Sequence, residues 1–324
     1  MKNILIIGAG QIGSRHLQAL KAVRNSAKIF VIDPSSESLK IAKKRYESTQ
    51  RGENEHILRF SNKLPQNPGE IDVAIIATNS DVRREVCETL LKRTNVHYII
   101  FEKILFNHKN DYDDIGLSLK KHKTKTFVNF NMRMHPIYSS IKNELGGDKI
   151  FYHVSGGNFG LVTNAIHYLD HLSLLVNCRD FTINTNLLDH NPITSKRKGF
   201  LEFTGTIEAI MKDGSQMLVT SYDTGKAPCQ VIIFNKNIRI ISRENEGKFW
   251  IAKKENSWSW QEILSPWPHQ SEMTTHLVED LLNNGGCPLP TYQESIKIHL
   301  QMLEPLLEHL NKYSEKKYDY YPFT

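Results

Sequence analysis

The chain has 324 residues, 40% of them hydrophobic and 23% charged, which is too long for one ordinary core and too apolar for disorder. At roughly 100 to 200 residues per domain two domains are expected, each able to bury a core without disulfides or a structural metal. No apolar run approaches the ~18 to 20 residues of a spanning helix, and mean hydropathy is -0.42, so an integral membrane protein is excluded. The 41 Lys and Arg are scattered among 35 Asp and Glu, so the net charge of +6 implies no nucleic-acid partner. The excess still favours an anionic cofactor or substrate by steering. Cys87, Cys178, Cys229 and Cys287 are far apart, without C-x-x-C spacing. That pattern fits reduced thiols and a cytoplasmic location.

The first apolar run reaches glycines instead of a cleavage site, so it reads as a strand and not a signal peptide. From there to about residue 125 apolar strands alternate with amphipathic helices, the pattern of a parallel sheet with right-handed crossovers. Strands are expected at 3–7, 28–32, 56–60 (the weakest), 73–77 and 98–101, with 126–130 as a sixth. Helices are expected at 13–24, 36–46 and 81–93, the last two opening on Ser or Asp caps. Beyond residue 125, segments rich in β-branched and aromatic residues run from 151 to 260 and predict a mostly antiparallel sheet. Its clearest hairpin joins 205–211 to 216–221 around Lys212-Asp213-Gly214. A helix at 162–176 interrupts the strands, and a helical region from 271 to 310 follows them. The expected domains are thus 1–125 and 126–324, an α/β chain whose second domain is α+β.

The strongest local signal is Gly8-Ala9-Gly10-Gln11-Ile12-Gly13, placed between a strand and a helix. Gly8 permits a tight turn, Gly10 lets backbone approach a pyrophosphate, and Gly13 lets the helix pack on the strand with its N-terminus facing the anion. Asp33 ends the next strand, about 20 residues on, where a carboxylate receives ribose hydroxyls. It would repel a 2′-phosphate, and the nearest base downstream along the chain is Lys40, so NAD is expected over NADP.

These residues resemble the glucose-fructose oxidoreductase and inositol dehydrogenase superfamily, the Gfo/Idh/MocA oxidoreductases. The resemblance rests on five motifs in register over most of the chain: Gly8 to Gly13, Ala77-Thr78-Asn79, Glu102-Lys103-Ile104, Asn131-Met132-Arg133, and the stretch from Thr163 through His167 to Asp170. A helical C-terminal region containing Pro288-Leu289-Pro290 accompanies them. The resemblance implies an N-terminal Rossmann domain and a C-terminal α+β domain whose sheet mediates dimers or tetramers. It also implies hydride transfer between the nicotinamide and a hydroxyl or ketone of a sugar, cyclitol or nucleotide sugar, in a pathway such as surface polysaccharide synthesis.

The cofactor set implied is Gly8, Gly10, Gln11, Ile12, Gly13, Asp33, Thr78, Asn79, Glu102 and Lys103. Substrate would meet Lys103, Arg133, Asn164 and His167. Lys103, at the carboxyl edge of the sheet, polarises the reacting oxygen. His167 is the general base, since imidazole titrates near neutrality. On a helix Thr163, His167 and Asp170 share one face, so Asp170 can orient the ring.

The sequence departs from the family at three places. Asn79 and Ile104 stand where the family has Pro, and Thr163, beside Asn164, stands where it has an acid. A non-proline cis bond costs ~3 kcal/mol, so the 103–104 peptide is expected trans. Neither Thr163 nor Asn164 can carry the missing charge. His167-x-x-x-His171 also has metal-ligand spacing, but no Glu follows His167, and no metal is expected. Asn131 and Tyr138 are weaker site candidates. Trp250, Trp258, Trp260 and Trp267 are assigned to packing. The rival readings are a dinucleotide-binding sensor that has lost turnover, and a reductase of a non-sugar molecule such as an imine or tetrapyrrole.

Overall fold

The computed structural model describes residues 1–50, 52, 54–66 and 68–324. It divides into two compact units, 1–134 with 268–293 and 135–267 with 294–324.

The first unit is a six-stranded sheet. Strands β1 (Lys2–Ile7), β2 (Ala27–Ile32), β3 (Ile57–Ser61), β4 (Ile71–Ile76), β5 (Val96–Phe101) and β6 (Lys125–Val128) take the order β3-β2-β1-β4-β5-β6. All pairs are parallel. Ile4, Leu5, Ile6, Val73, Ala74, Ile75 and Ile76 are fully buried, as strands covered on both faces must be. The strand expected at 56–60 is the exposed edge β3. Between strands lie α1 (Gln11–Leu20), α2 (Ser36–Glu47), α3 (Ser80–Arg93) and α4 (Lys109–Lys121). The Ser35 side chain caps α2 by accepting from the Ser38 amide at 3.2 Å. In contrast to the expected Ser or Asp cap, α3 starts after Asn79 with no side-chain cap. Helix α4 was not anticipated, because its apolar positions Tyr112, Ile115 and Leu119 are diluted by flanking charges.

The expected boundary at 125 falls inside this unit, which reaches Met134 and takes in 268–293. The reason is a second layer of packing. The helix Gln270–Asn284 lays Leu277, Val278 and Leu281 into the core shared by Ile4, Leu17, Leu20 and Ile29. Each such side chain contributes about 1.5–3 kcal/mol of burial. Thr275 Oγ1 donates to the Ala19 carbonyl at 2.7 Å, and Glu279 accepts from the Arg24 amide at 2.8 Å. The region expected to be helical from 271 to 310 is therefore two helices, broken where Gly285 takes a φ of 72° and Pro288 and Pro290 follow.

The second unit carries α5 (Pro136–Leu145), β7 (Phe151–Gly157), α6 (Leu161–Val176) and β8 (Phe181–Asn184). A short ribbon follows, β9 (Ile193–Thr194) with β10 (Leu201–Glu202). Then come β11 (Gly205–Met211), β12 (Gln216–Tyr222), β13 (Gln230–Phe234), β14 (Ile238–Arg243), β15 (Lys248–Lys253) and β16 (Trp260–Leu264). Its main sheet has eight strands in the order β16-β15-β14-β13-β7-β12-β11-β8. The pairing is antiparallel except for β12 with β7. The expected hairpin is β11–β12, turning at Gly214 with φ 85°. Residues of the helix Tyr292–Tyr313 from Glu294 onward belong to this unit.

Candidate active site

The loop between β1 and α1 is a cradle that only glycine permits. Gly8 has φ 94°, and a Cβ there would lie 2.9 Å from the Ala77 carbonyl carbon. At Gly13 a Cβ would sit 1.7 Å from the Gly8 carbonyl oxygen, so any side chain pushes the helix off its strand. Around Gly10 nothing lies within 4 Å of where a Cβ would be, so the space beside that residue is open for a ligand. Gly10 caps α1 with no side-chain hydrogen bond, and no acid sits in the first turn. The helix N-terminus therefore offers its amides and positive dipole end to an anion. Gln11 is exposed and accepts from Arg45 Nη2 at 2.9 Å, while Ile12 is half-buried.

The cradle opens into a cleft of about 760 Å³ lined by Gly8, Gly10, Asp33, Lys63, Thr78 and Asn79 among others. Asp33 is 9% exposed; its Oδ2 accepts from the Ala9 amide at 2.6 Å and its Oδ1 from the Ser35 amide at 2.8 Å. The carboxylate thus braces the glycine turn as well as facing the cleft. Thr78 Oγ1 is buried without a hydrogen-bond partner. An orphaned hydroxyl beside a helix N-terminus that no side chain caps fits a dinucleotide, which would be held by the α1 amides, Asp33 and Thr78. Lys63 lines the same cleft, a cation that counting along the chain from Asp33 missed because it arrives from the loop after β3.

The turn after β5 carries Glu102, Lys103 and Ile104 to the carboxyl edge of the sheet. The Lys103–Ile104 peptide is cis, which corrects the trans expectation drawn from the missing proline. Lys103 is half-buried. Glu102 points inward: its Oε1 meets His16 Nε2 at 3.0 Å and Asn129 Nδ2 at 2.6 Å. Asn129 also donates to Gln270 Oε1 at 3.0 Å, and His16 Nδ1 lies 2.8 Å from Thr274 Oγ1. Burial would raise the Glu102 pKa, but hydrogen bonds from His16 and Asn129 and the Lys103 charge outweigh it and hold the carboxyl below its ordinary range. Glu102 is thus the centre of an internal hydrogen-bond network joining α1, the turn after β6 and the helix Gln270–Asn284. His16 was not singled out from the sequence, although a histidine on the apolar stripe of α1 was a readable signal.

Arg133 lies half-buried on the short turn Asn131–Met134.

In the second unit, α6 carries the other candidates. From 161 to 173 only Asn164 and His167 escape full burial, so they form one half-exposed stripe three residues apart. Asp170 and His171 are 0% exposed and Thr163 is 7% exposed. Of the three residues expected to share a face, only His167 reaches solvent. Asn164 Nδ2 donates to the Phe159 and Gly160 carbonyls at 2.7 and 2.9 Å, folding back on the turn before the helix. His171 Nδ1 pairs with the Tyr152 hydroxyl at 2.8 Å. Among the described residues no group of three or more His, Cys, Asp or Glu is arranged to hold a metal ion.

Sequence reasoning also missed Glu202. It is 4% exposed, and its Oε2 accepts from the Val162 amide at 2.7 Å and its Oε1 from the Thr163 amide at 3.3 Å and the Thr163 hydroxyl. A carboxylate thus sits at the start of the helix that bears His167, delivered by β10 and not by the helix itself.

A parallel sheet whose first helix N-terminus and following carboxylate face one cleft has the form of a dinucleotide-binding Rossmann domain. Residues 2–130 match the model of the Gfo/Idh/MocA family, described as oxidoreductase family, NAD-binding Rossmann fold. Solved structures carry the likeness through the second unit. An oxidoreductase from Agrobacterium radiobacter, in complex with NAD+, L-tartaric acid and magnesium, is 17% identical with TM-score 0.73 over 95% of this chain and 96% of its own. A UDP-N-acetylglucosamine 3-dehydrogenase from Acidithiobacillus ferrooxidans is 12% identical with TM-score 0.71, covering 94% and 96%. A 3-ketoreductase from Actinomadura kijaniata, in complex with TDP-benzene and NADP, is 12% identical with TM-score 0.68, covering 98% and 99%. No curated protein sequence matches the chain.

Proposed function

We propose that the protein is an oxidoreductase that transfers a hydride between the nicotinamide and a secondary hydroxyl or ketone of a sugar, cyclitol or nucleotide-linked sugar, with NAD preferred. The observation that carries the reading is the glycine cradle with the unpartnered Thr78 hydroxyl, opening on the cleft that Asp33 lines. The bound dinucleotide supplies the hydride acceptor or donor. Lys103 places a positive charge where the substrate oxygen becomes negative, and His167 takes the hydroxyl proton on oxidation and returns it on reduction. Asp170, buried one turn beyond His167, orients that ring, and Asn164 and Arg133 contribute hydrogen bonds to substrate. The dehydrogenase and ketoreductase among the solved relatives, one named for a nucleotide sugar, support the substrate class. For cofactor choice, Asp33 supports NAD, whereas Lys63 in the same cleft offers a 2′-phosphate some compensation.

We further propose a cytoplasmic homodimer or homotetramer formed by the broad face of the eight-stranded sheet. Leu218 of β12, His153 of β7, Ile232 of β13, Ile241 of β14 and Trp250 of β15 are in register as one half-buried row, apolar except for His153, that a second copy would cover.

The test is a fluorescence titration with NADH and NADPH, followed by a panel of sugars, inositols and nucleotide sugars with NAD while reduced cofactor is followed by absorbance. NADH binding with turnover that vanishes in Lys103→Ala and His167→Ala supports the reading. Tight binding with no turnover on any panel member favours the sensor, and no binding sinks the cofactor assignment.

A further inference from the structure

Two adjacent arginines on α3 do different things. Arg84 is half-exposed and makes ordinary ion pairs, to Glu88 at 3.0 Å, to Asp114 at 2.9 Å and to Asp111. Arg83 is 1% exposed, the largest fully buried side chain among the described residues, and its guanidinium is spent on backbone carbonyls. Its Nη1 donates to the Glu102 carbonyl at 2.7 Å, to the Leu105 carbonyl at 2.9 Å and to the Ile104 carbonyl. Its Nη2 donates to the Thr78 carbonyl. These four acceptors come from the turn after β4 and the turn after β5, the two loops that carry Thr78 and Lys103.

We propose that Arg83 is the positioning residue for Lys103, tying the turn after β5 to the turn after β4 so that the ammonium is presented from a fixed backbone at the carboxyl edge of the sheet. The inference rests on the role proposed above for Lys103. Burying a guanidinium is costly, and the carbonyls it gathers offset that cost. Only a planar fork with donors on two nitrogens spans acceptors on two loops; a lysine ammonium is a single point and reaches one loop or the other. The carbonyls of Glu102 and Ile104 flank Lys103 directly, so their tether fixes the peptide units on both sides of it. Arg83 lies on the buried stripe Ser80, Arg83, Cys87, Leu90, Leu91, where a charge has no place unless it has work inside.

The experiment compares wild type, Arg83→Lys, Lys103→Ala and the double variant in the full chain. Expected for Arg83→Lys is an NADH dissociation constant within threefold of wild type and a kcat at least tenfold lower on the panel substrate, with KM little changed. In the Lys103→Ala background the same substitution is expected to add less than twofold. A kcat within twofold of wild type overturns the proposal, and so does an undiminished loss in the Lys103→Ala background, which would mark Arg83 as merely structural. If the wild type turns over no substrate, it is the oxidoreductase reading that fails. Trace acylation with acetic anhydride, read peptide by peptide, then decides Arg83 alone: a Lys103 rate shifted threefold or more in Arg83→Lys, with other lysines unchanged, supports it, and an equal rate overturns it. Should Arg83→Lys fail to fold, Arg83→Gln is read by the same two criteria.

Discussion

At Gly10 and Gly13 one added methyl group has opposite consequences. A Cβ at Gly13 would overlap the Gly8 carbonyl oxygen at 1.7 Å, so Gly13→Ala is expected to destabilise the first unit by about 1–3 kcal/mol and to abolish NADH binding. Gly10→Ala meets no protein atom within 4 Å, so its melting temperature is expected to stay at the wild-type value while NADH affinity falls, since the methyl occupies the ligand's approach. Calorimetry beside fluorescence titration separates the two. His167→Ala is expected to lower kcat by about 10²- to 10⁴-fold with NADH affinity unchanged, the usual yield of one acid–base group. The glycines were legible because their requirement is local, a turn within six residues. Arg83 and Glu202 were not, because three of the four Arg83 acceptors lie 19 to 22 residues away and those that Glu202 serves lie about 40 away.

Helix α6 shows the same limit one level up. Its span was readable from the apolar spacing at 162–176, and the structure places it at Leu161–Val176. Its start was not readable: Gly160, with φ 83°, offers no side-chain cap, and Glu202 on β10 supplies the missing acceptor. Glu202→Ala leaves two buried amides and the Thr163 hydroxyl without that carboxylate. Each buried group left without its partner costs about 1–3 kcal/mol. The expected outcome is a lower urea midpoint and, through the frayed first turns, a loss of the turnover that depends on His167. Glu202→Gln keeps one oxygen and is expected to fall between. A chemical denaturation curve of the three proteins checks the order.

Across the molecule, the second unit carries a pH dependence of its own. Burial pushes the Glu244 carboxyl up to about 7, against a smaller opposing contribution from the Tyr138 hydroxyl that donates to it. The folded value lies above the ordinary 4.5, so the native state keeps a proton that the unfolded chain releases. That stabilisation is complete below about pH 4.5 and is lost as pH rises through about 7. Burial also pushes the His135 imidazole down to about 4, which adds stability as pH rises to about 6.5 and opposes the Glu244 contribution; relative to wild type, Glu244→Gln is therefore expected to gain melting temperature between pH 5 and pH 8, by about a few degrees. The apolar row on the sheet makes a separate prediction: Trp250→Glu is expected to shift the sedimentation coefficient toward the monomer without lowering NADH affinity. A monomeric wild type would remove the proposed oligomer.

The sequence by itself determined the parts whose causes are local. The order of strands and helices in the first unit follows from apolar periodicity, the phosphate cradle from three glycines at fixed spacing, and the β11–β12 hairpin from Asp213-Gly214. Only the tertiary structure decided that 268–293 return to the first unit, that Glu102 turns inward to His16, and that Lys63 joins Asp33 in one cleft. The division has a physical cause. Backbone dihedral preference and amphipathic spacing act over a few residues and are written in adjacent letters. A buried hydrogen bond or a shared cleft depends on where distant segments are brought by the packing of the whole sheet, and no neighbouring residue records it.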